Sequence, residues 1–501
     1  MSQALWILRK DTRRFWGLLA VVIPLEALGG WAYSSPSVAQ LQLLFGLLLT
    51  LVQWFLIVSL IHEEAVPGDR QYWTTRPIAW KFLLLAKAMF ILLFIHLPCF
   101  LTDAVTLAAH GQSVIHFFPA LLACQLFLIA KVVLPAAAIA AVTASLAQFV
   151  WHSLGFLIGF YLMIWPIATY ASTPADWGGM EWFRSTVLAV LLFVIAFAIL
   201  LVQYARRDTR ASRCILVAAI LILALSFWMP GWHAAFALQA SIGPHRADAS
   251  AIRVSFDPAR DPHTAPQGGT FWGNQLRQTP SFVPVHVTGI PAGTELYSDR
   301  ATVTLTTSEG RTWNSGWDLL HKLIRRTDTT STMLQEEQFL TSGDECWQYI
   351  NIDASFYAAL RAPVRMHITW AMTLFSQPEV TTLGRGLQTV SGGGSCWSNG
   401  AVQSICVWPG QGPQVNSVRV RSIPTGVFTD FPLSAWGSSG PVASYGPYPS
   451  TVSVWQTAFQ GWSTTVQPPT ETSLRSRRAV AHFERDLDIR IDDSTWRRFC
   501  P

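Results

Sequence analysis

The residue types best suited to chemistry gather between positions 61 and 87, as Ile61-His62-Glu63-Glu64-Ala65-Val66-Pro67-Gly68-Asp69-Arg70-Gln71-Tyr72-Trp73-Thr74-Thr75-Arg76-Pro77-Ile78-Ala79-Trp80, followed by Lys81 and Lys87. A His followed by Glu opens the helix of a zinc protease, where a second His one turn later completes the metal site and the Glu serves as general base. That later position is Val66, so the second imidazole is missing. A phosphate-cradling loop needs Gly-Lys followed by Ser or Thr, and none of Lys10, Lys81, Lys87, Lys131 and Lys322 follows a glycine. Further along there is no Gly-x-Ser-x-Gly elbow, no His-Glu-x-x-His and no Cys/His zinc spacing. The chain reads as non-enzymatic, with no cofactor of its own.

Two more ionisable residues, Glu26 and Lys131, fall near the middle of apolar runs, where a charge is costly. Meeting across the first and fourth runs, they would either fix packing or take part in a transport path. Lys87 sits about two turns from the end of its run and is expected to snorkel. Cys346, Cys396, Cys406 and Cys500 lie in the second half, an even number that permits disulfides in an oxidising compartment. The short interval between Cys396 and Cys406 suits a hairpin-sized bridge, which leaves Cys346 with Cys500 by elimination.

The elements that must position these residues follow from composition. At 51% apolar, 13% charged and mean hydropathy +0.32 the chain is too apolar for a soluble protein, in which about a quarter of residues are charged. Residues 1–230 hold 14 Lys/Arg and nine Asp/Glu, whereas residues 231–501 hold 21 of each. The neutral second half excludes a nucleic-acid-binding domain there, because phosphate neutralisation needs a net positive surface.

Seven apolar runs occupy the first half, near 15–34, 39–61, 81–102, 117–144, 149–171, 185–204 and 213–230. Each suffices to cross a hydrocarbon core of about 30 Å at roughly 1.5 Å per helical residue. With the N-terminus in the cytoplasm, the inner segments collect Arg9, Lys10, Arg13, Arg14, Arg70, Arg76, Lys81, Arg206, Arg207, Arg210 and Arg213, and the outer loops only Arg184. That asymmetry sets the orientation, and seven spans leave residues 231–501 outside the cytoplasm. Residues 1–14, with Leu5, Trp6 and Leu8 ahead of four bases, read either as an amphipathic helix on the inner leaflet or as a positive flank. Residues 15–230 form the membrane domain. Pro98, Pro135 and Pro166 are expected to kink their helices, and Gly155-x-x-x-Gly159 to permit close packing.

Past Gly231 the texture changes to turn formers and period-two apolar runs: 282–287, 301–307, 364–375, 415–423 and 451–455. These predict antiparallel sheets, in one or two β-sandwich units. Gly316–Arg326 reads as a short amphipathic helix. The twelve tryptophans of this half fit sandwich packing better than a sugar-stacking platform, and His321 and His367 read as structural.

The 61–87 segment resembles the inner loop of ABC-2-type transporter permeases. In that family a Glu ends the second span, and a Gly-containing segment leads to Pro-Ile/Val-Ser/Ala-x-x-x-Leu-Leu-x-x-Lys. The matching residues are Glu63 or Glu64, Gly68, Arg76-Pro77-Ile78-Ala79, Leu84, Leu85 and Lys87, and with the six-span core the resemblance covers roughly residues 1–210. The seventh span and the outer domain depart from it. The resemblance implies an export permease of a bacterial inner membrane, working as a homodimer or heterodimer. ATP and Mg would be held by a separate ATP-binding subunit, on which Glu63, Glu64, Asp69, Arg70, Tyr72, Trp73, Arg76 and Pro77 would dock. The competing reading is a membrane-anchored sensor or envelope assembly protein whose β domain binds a ligand.

Overall fold

A computed structural model describes residues 2–34, 42–64, 79–170, 180–226, 231–245, 248–261, 278–318, 321, 323–325, 339–360, 363–390, 394–398, 403–409, 414–426, 428–432, 434–435, 452–458 and 470–492. The first half is helical: α1 (Ser2–Ser34), α2 (Gln42–His62), α3 (Trp80–Ile91), α4 (Leu97–Ala109), α5 (Phe118–Leu128), α6 (Leu134–Ala141), α7 (Leu146–Tyr170), α8 (Glu181–Leu201), α9 (Thr209–Leu225) and α10 (Trp232–Ile242). Among the described residues, six helical stretches are long and apolar enough to cross a membrane: Gln3–Ala32, Leu44–His62, Trp80–Ala109, Phe118–Ala141, Leu146–Trp165 and Trp182–Arg206.

Three of these stretches contain a π-helical turn, the last of them at Val202–Arg206 closing α8. π-helical turns at Leu92–His96 and Ile129–Val133 join α3 to α4 and α5 to α6, and Pro98 and Pro135 stand two residues past their ends. A proline cannot donate the helical N–H and crowds the carbonyl four residues back, and the wider turn relieves both. α9, 17 residues long, is not among these six, so the described residues give six spans of full length where the sequence reading has seven. α9 starts on Asp208, whose side chain accepts from the Ala211 N–H at 2.9 Å, and packs Ile220 onto Gly159 of α7. Gly155 has no such neighbour.

The helices alternate in direction between two ends of the bundle. At one end the beginning of α1, the end of α2, the beginning of α3 and Tyr204 share an apolar cluster containing Ala4, Ile7, Leu60, Ile61 and Leu83. Arg213 at the start of α9 donates to the Val142 carbonyl at the same end, at 3.3 Å. At the other end Met180 and Phe183, at the start of α8, pack with α10 against the β domain.

Residues 2–14 are not a separate interfacial helix. α1 runs unbroken through them, with Ala4, Ile7 and Asp11 buried and Leu5 and Trp6 exposed. The apolar period that suggests an amphipathic surface helix instead packs one face into the bundle.

Past α10 the described residues are all-β apart from one short helix: β1 (Arg253–Phe256), β2 (Gln278–Thr288), β3 (Thr294–Thr307), β4 (Thr312–Asn314), β5 (Leu323–Arg325), β6 (Phe339–Leu340), β7 (Glu345–Asp353), α11 (Ala354–Ala358), β8 (Val364–Ser376), β9 (Glu379–Leu383), β10 (Gly386–Val390), β11 (Gly394–Ser398), β12 (Gln403–Pro409), β13 (Gln414–Ser422), β14 (Phe428–Pro432), β15 (Ser434–Ala435), β16 (Val452–Ala458) and β17 (Thr470–Ile491). The sheets run β1-β2-β7-β5, β10-β11-β12-β16-β15 and β14-β13-β17-β8-β3-β4, with β6 on β3 and β9 on β17.

The alternating residues of β3, β8 and β17, among them Val303, Leu305, Ile368, Trp370 and Ile489, meet Val283, Val285, Trp347 and Ile350 of the first sheet in a sandwich core. Inside it the Trp370 indole donates to the Gln348 side chain. A second core joins Leu383, Val418, Val420 and Leu474 to Val390, Cys396, Cys406 and Trp408. The 22-residue β17 serves both units, pairing with β13 and β9 in its first half and β8 in its second. Full burial of Trp347, Trp370 and Trp408 makes those three indoles core residues and not a stacking platform.

Within Gly316–Arg326 none of the described residues is helical. Leu323–Arg325 forms β5 against β7, where Leu323 enters the sandwich core.

Candidate functional site

The charged residues near the second and third helices form a compact ion network at the end of the bundle away from the β domain. Asp11 of α1 and Lys87 of α3 are buried, and the Lys87 ammonium reaches Asp11 Oδ2 at 2.8 Å. Glu64, just past α2, receives Lys87 on one carboxylate oxygen and Lys10 on the other. Lys10 also stands 3.3 Å from Asp11 Oδ1. Beside this ring, Glu63 pairs with Arg14 at 3.5 Å.

Two carboxylates and two ammoniums thus neutralise one another across three helices. Such an arrangement is tolerated only when every charge has its partner, since isolated ions out of water cost several kcal/mol each. Burial alone would raise the Glu64 carboxyl, but Lys87 and Lys10 overcome it and hold the group below the usual carboxylate range.

Lys87 therefore does not snorkel. It points into the network, because the acids of α1 and the end of α2 offer it closer partners than water does. Glu26 and Lys131 do not meet either. Glu26 accepts from Gln53 Nε2 at 3.0 Å, while Lys131 donates to Ser185 and lies 4.9 Å from the Phe127 ring centre. Each found a local neutral partner on an adjacent helix. His62 is likewise structural, its Nε2 lying 3.1 Å from the Ala140 carbonyl and 3.2 Å from Thr143 Oγ1. No group of three or more metal-binding side chains occurs among the described residues.

Asp69, Arg70, Tyr72, Trp73, Arg76 and Pro77 lie outside the described residues. What the structure does place is the base of their segment. Glu64 precedes it, Lys87 follows it on α3, and the two are ion-paired, so the chain leaves and re-enters the bundle beside one bridge. Lys10 and Asp11 escaped the sequence reading. The available signal was Asp11 itself, the lone acid in the basic run Arg9–Arg14.

A second polar structure joins the bundle to the β domain. The Trp182 indole, in the first turn of α8, donates to Gln239 Oε1 on α10. Gln239 Nε2 lies 3.2 Å from His482 Nε2 on β17, His482 Nδ1 lies 2.9 Å from Thr373 Oγ1 on β8, and Thr373 donates to Asp299 on β3 at 2.5 Å. An indole only donates and a carboxylate only accepts. The ends therefore fix every hydrogen between them: Gln239 donates to Nε2, and the Nδ1–H donates to Thr373. His482 must be neutral to fill this place, and burial with His245 nearby lowers its pKa to about 4. Around this chain His233 stacks on Trp317 and pairs with Glu484 at 2.8 Å.

In the β domain Cys396 and Cys406 stand opposite each other on β11 and β12 and form a disulfide. Cys346 is a free, buried thiol whose Sγ–H donates to the Asp344 carbonyl. It is not bridged, which corrects the pairing with Cys500, a residue outside the described ones. Burial pushes the Cys346 thiol up to about 12. His321 accepts from the Asn351 N–H at 3.1 Å and is held neutral by burial. His367 lies on the sheet face 3.2 Å from Asp488.

No protein-family model matches the chain, and no curated protein matches it. The architecture is that of a multi-pass helical membrane bundle followed by an all-β domain, as in a membrane transporter.

Proposed function

We propose that this chain is the membrane subunit of an ABC-2-type exporter, energised by a separate ATP-binding subunit that docks on residues 63–80 at the cytoplasmic end of the bundle. The observation that carries the reading is the Lys87–Glu64 pair. Both residues belong to the pattern that resembles the permease inner loop, and their pairing braces the base of that loop against α1. A braced loop can pass a push from a docked subunit into three helices at once, whereas an unbraced one would absorb it. The bases Arg9, Lys10, Arg13, Arg14, Lys81, Arg206, Arg207, Arg210 and Arg213 belong to the helix ends and turns on this side of the bundle, with Arg184 near the β domain. That distribution favours the cytoplasm for the network end and the outer side of a bacterial inner membrane for residues 231–501.

Reporter fusions at Arg207 and Gly268 test the sidedness: opposite sides support it and a common side overturns it. Purification of the full chain from native membranes tests the partner, which must carry a Walker motif. The hydrogen-bonded chain from Trp182 to Asp299 favours a second reading, a sensor in which the β domain signals to α8. Under that reading the chain purifies without any nucleotide-binding subunit.

A further inference from the structure

The ends of three neighbouring strands in the first β unit border an open cleft of about 550 Å³, whose lining includes Thr306, Ser308, Arg365, Asp488 and Arg490. That volume falls in the range of small-molecule sites, about 300–1,000 Å³, and the side chains that face it are polar and charged, because Val364 and Ile489 turn into the sandwich core. The register makes the wall specific. Thr306 of β3 is opposite Arg365 of β8, and Arg365 is opposite Arg490 of β17. One row across the sheet therefore sets a hydroxyl and two guanidiniums side by side on one face, at a strand spacing of about 4.8 Å.

Like charges directly opposite on neighbouring strands destabilise a sheet. Their compensation here is incomplete. Asp488 is 3.7 Å from Arg365 and is shared with His367, and Arg490 has no ion pair or hydrogen bond among the described residues. Two guanidiniums opposite each other on one sheet face, beside one carboxylate, leave a net positive charge suited to a planar or tetrahedral oxyanion. Thr306, Ser308 and Asp488 add hydroxyl and carboxylate oxygens beside it. Asp488 would repel a second anionic group and accept from hydroxyls.

We propose that this cleft binds a saccharide carrying one phosphate or carboxylate, with the oxyanion between Arg365 and Arg490 and sugar hydroxyls on Thr306, Ser308 and Asp488. The assignment does not rest on the coupling reading, because binding is measured without nucleotide or a second subunit.

The test uses the full chain in nanodiscs of neutral lipid, titrated calorimetrically with glucose 6-phosphate, glucuronate, inorganic phosphate and glucose. Saturable binding of the first two, tighter than of phosphate and with none of glucose, is expected. Arg365→Gln and Arg490→Gln should each weaken it at least tenfold, about 1.4 kcal/mol, while Arg253→Gln on β1 leaves it unchanged. Arg490→Gln should hold or raise the melting temperature, since it removes the like-charge contact. A merely structural arginine would lower it. Absence of saturable binding, or binding unaltered in the Arg365→Gln/Arg490→Gln double variant, overturns the proposal. So does equal affinity for phosphate and glucose 6-phosphate. Phosphatidylglycerol vesicles separate a lipid source from a free one: displacement of glucose 6-phosphate by them, and not by phosphatidylcholine vesicles, would overturn the saccharide assignment in favour of a lipid headgroup.

Discussion

Lys87 of α3 and Glu64 at the end of α2 are ion-paired across the base of the segment that separates them, and Asp11 of α1 completes the contact from a third helix at 2.8 Å from the same ammonium. Removing one partner of a buried network strands the others. Lys87→Met should cost about 3–5 kcal/mol of stability by leaving two carboxylates facing each other. The triple variant Asp11→Asn/Glu64→Gln/Lys87→Met should recover most of that loss, with Lys10 free to turn to water. Thermal unfolding of the wild type, Lys87→Met and the triple variant in one detergent checks this, and a triple variant no more stable than Lys87→Met would show that the residues do not act as a unit.

His482 gives the junction a pH signature. Burial lowers its folded pKa to about 4, from about 6.5 for an ordinary imidazole. The unfolded chain thus takes up a proton first as pH falls. The contribution is fully present above pH 6.5, declines through the window, and is lost once pH passes about 4. The shift corresponds to roughly 3 kcal/mol over the window. His482→Gln should flatten this part of the stability profile between pH 7 and 5. A slope unchanged by the substitution would count against the neutral His482 link.

The cysteines separate into two classes. Without reduction, peptide mapping should find Cys396 joined to Cys406, and alkylation of the folded protein should leave Cys346 unmodified, since it is buried with its thiol pushed up to about 12. Closing a loop of this size contributes on the order of 2–3 kcal/mol, so Cys396→Ala/Cys406→Ala should lower the melting temperature of the β domain. Modification of Cys346 at the rate of the exposed Cys214 would contradict its burial.

Much of this architecture is written locally. Six of the seven apolar runs match helices of spanning length, and the period-two runs between Phe282 and Trp455 coincide with β2, β3, β8, β13 and β16 to within a residue among the described residues. The Cys396–Cys406 bridge was legible because the two residues flank one hairpin. What was not legible depended on partners distant in sequence. Lys87 looks like a snorkelling residue until Asp11 and Glu64, 76 and 23 positions away, are folded beside it. Glu26 and Lys131 looked complementary only because the neutral groups that hold them, Gln53 and Ser185, carry no charge to betray them. The Trp182-to-Asp299 chain escaped for the same reason. It draws one polar residue from each of five elements, and no short motif links them.

The most direct test of the central claim is made on the segment braced by Glu64 and Lys87. Charge reversal at Asp69 or Arg70, or the pair Tyr72→Ala and Trp73→Ala, removes the charged and aromatic side chains of the types that dominate interface energetics. The chain and its co-purifying subunit are isolated from membranes, and ATP hydrolysis is measured on the complex. The account predicts that these variants insert normally but lose the subunit or release its hydrolysis from control by the membrane chain. Variants that keep both the complex and its regulated hydrolysis, or a wild-type chain that brings down no ATP-binding subunit, would contradict it.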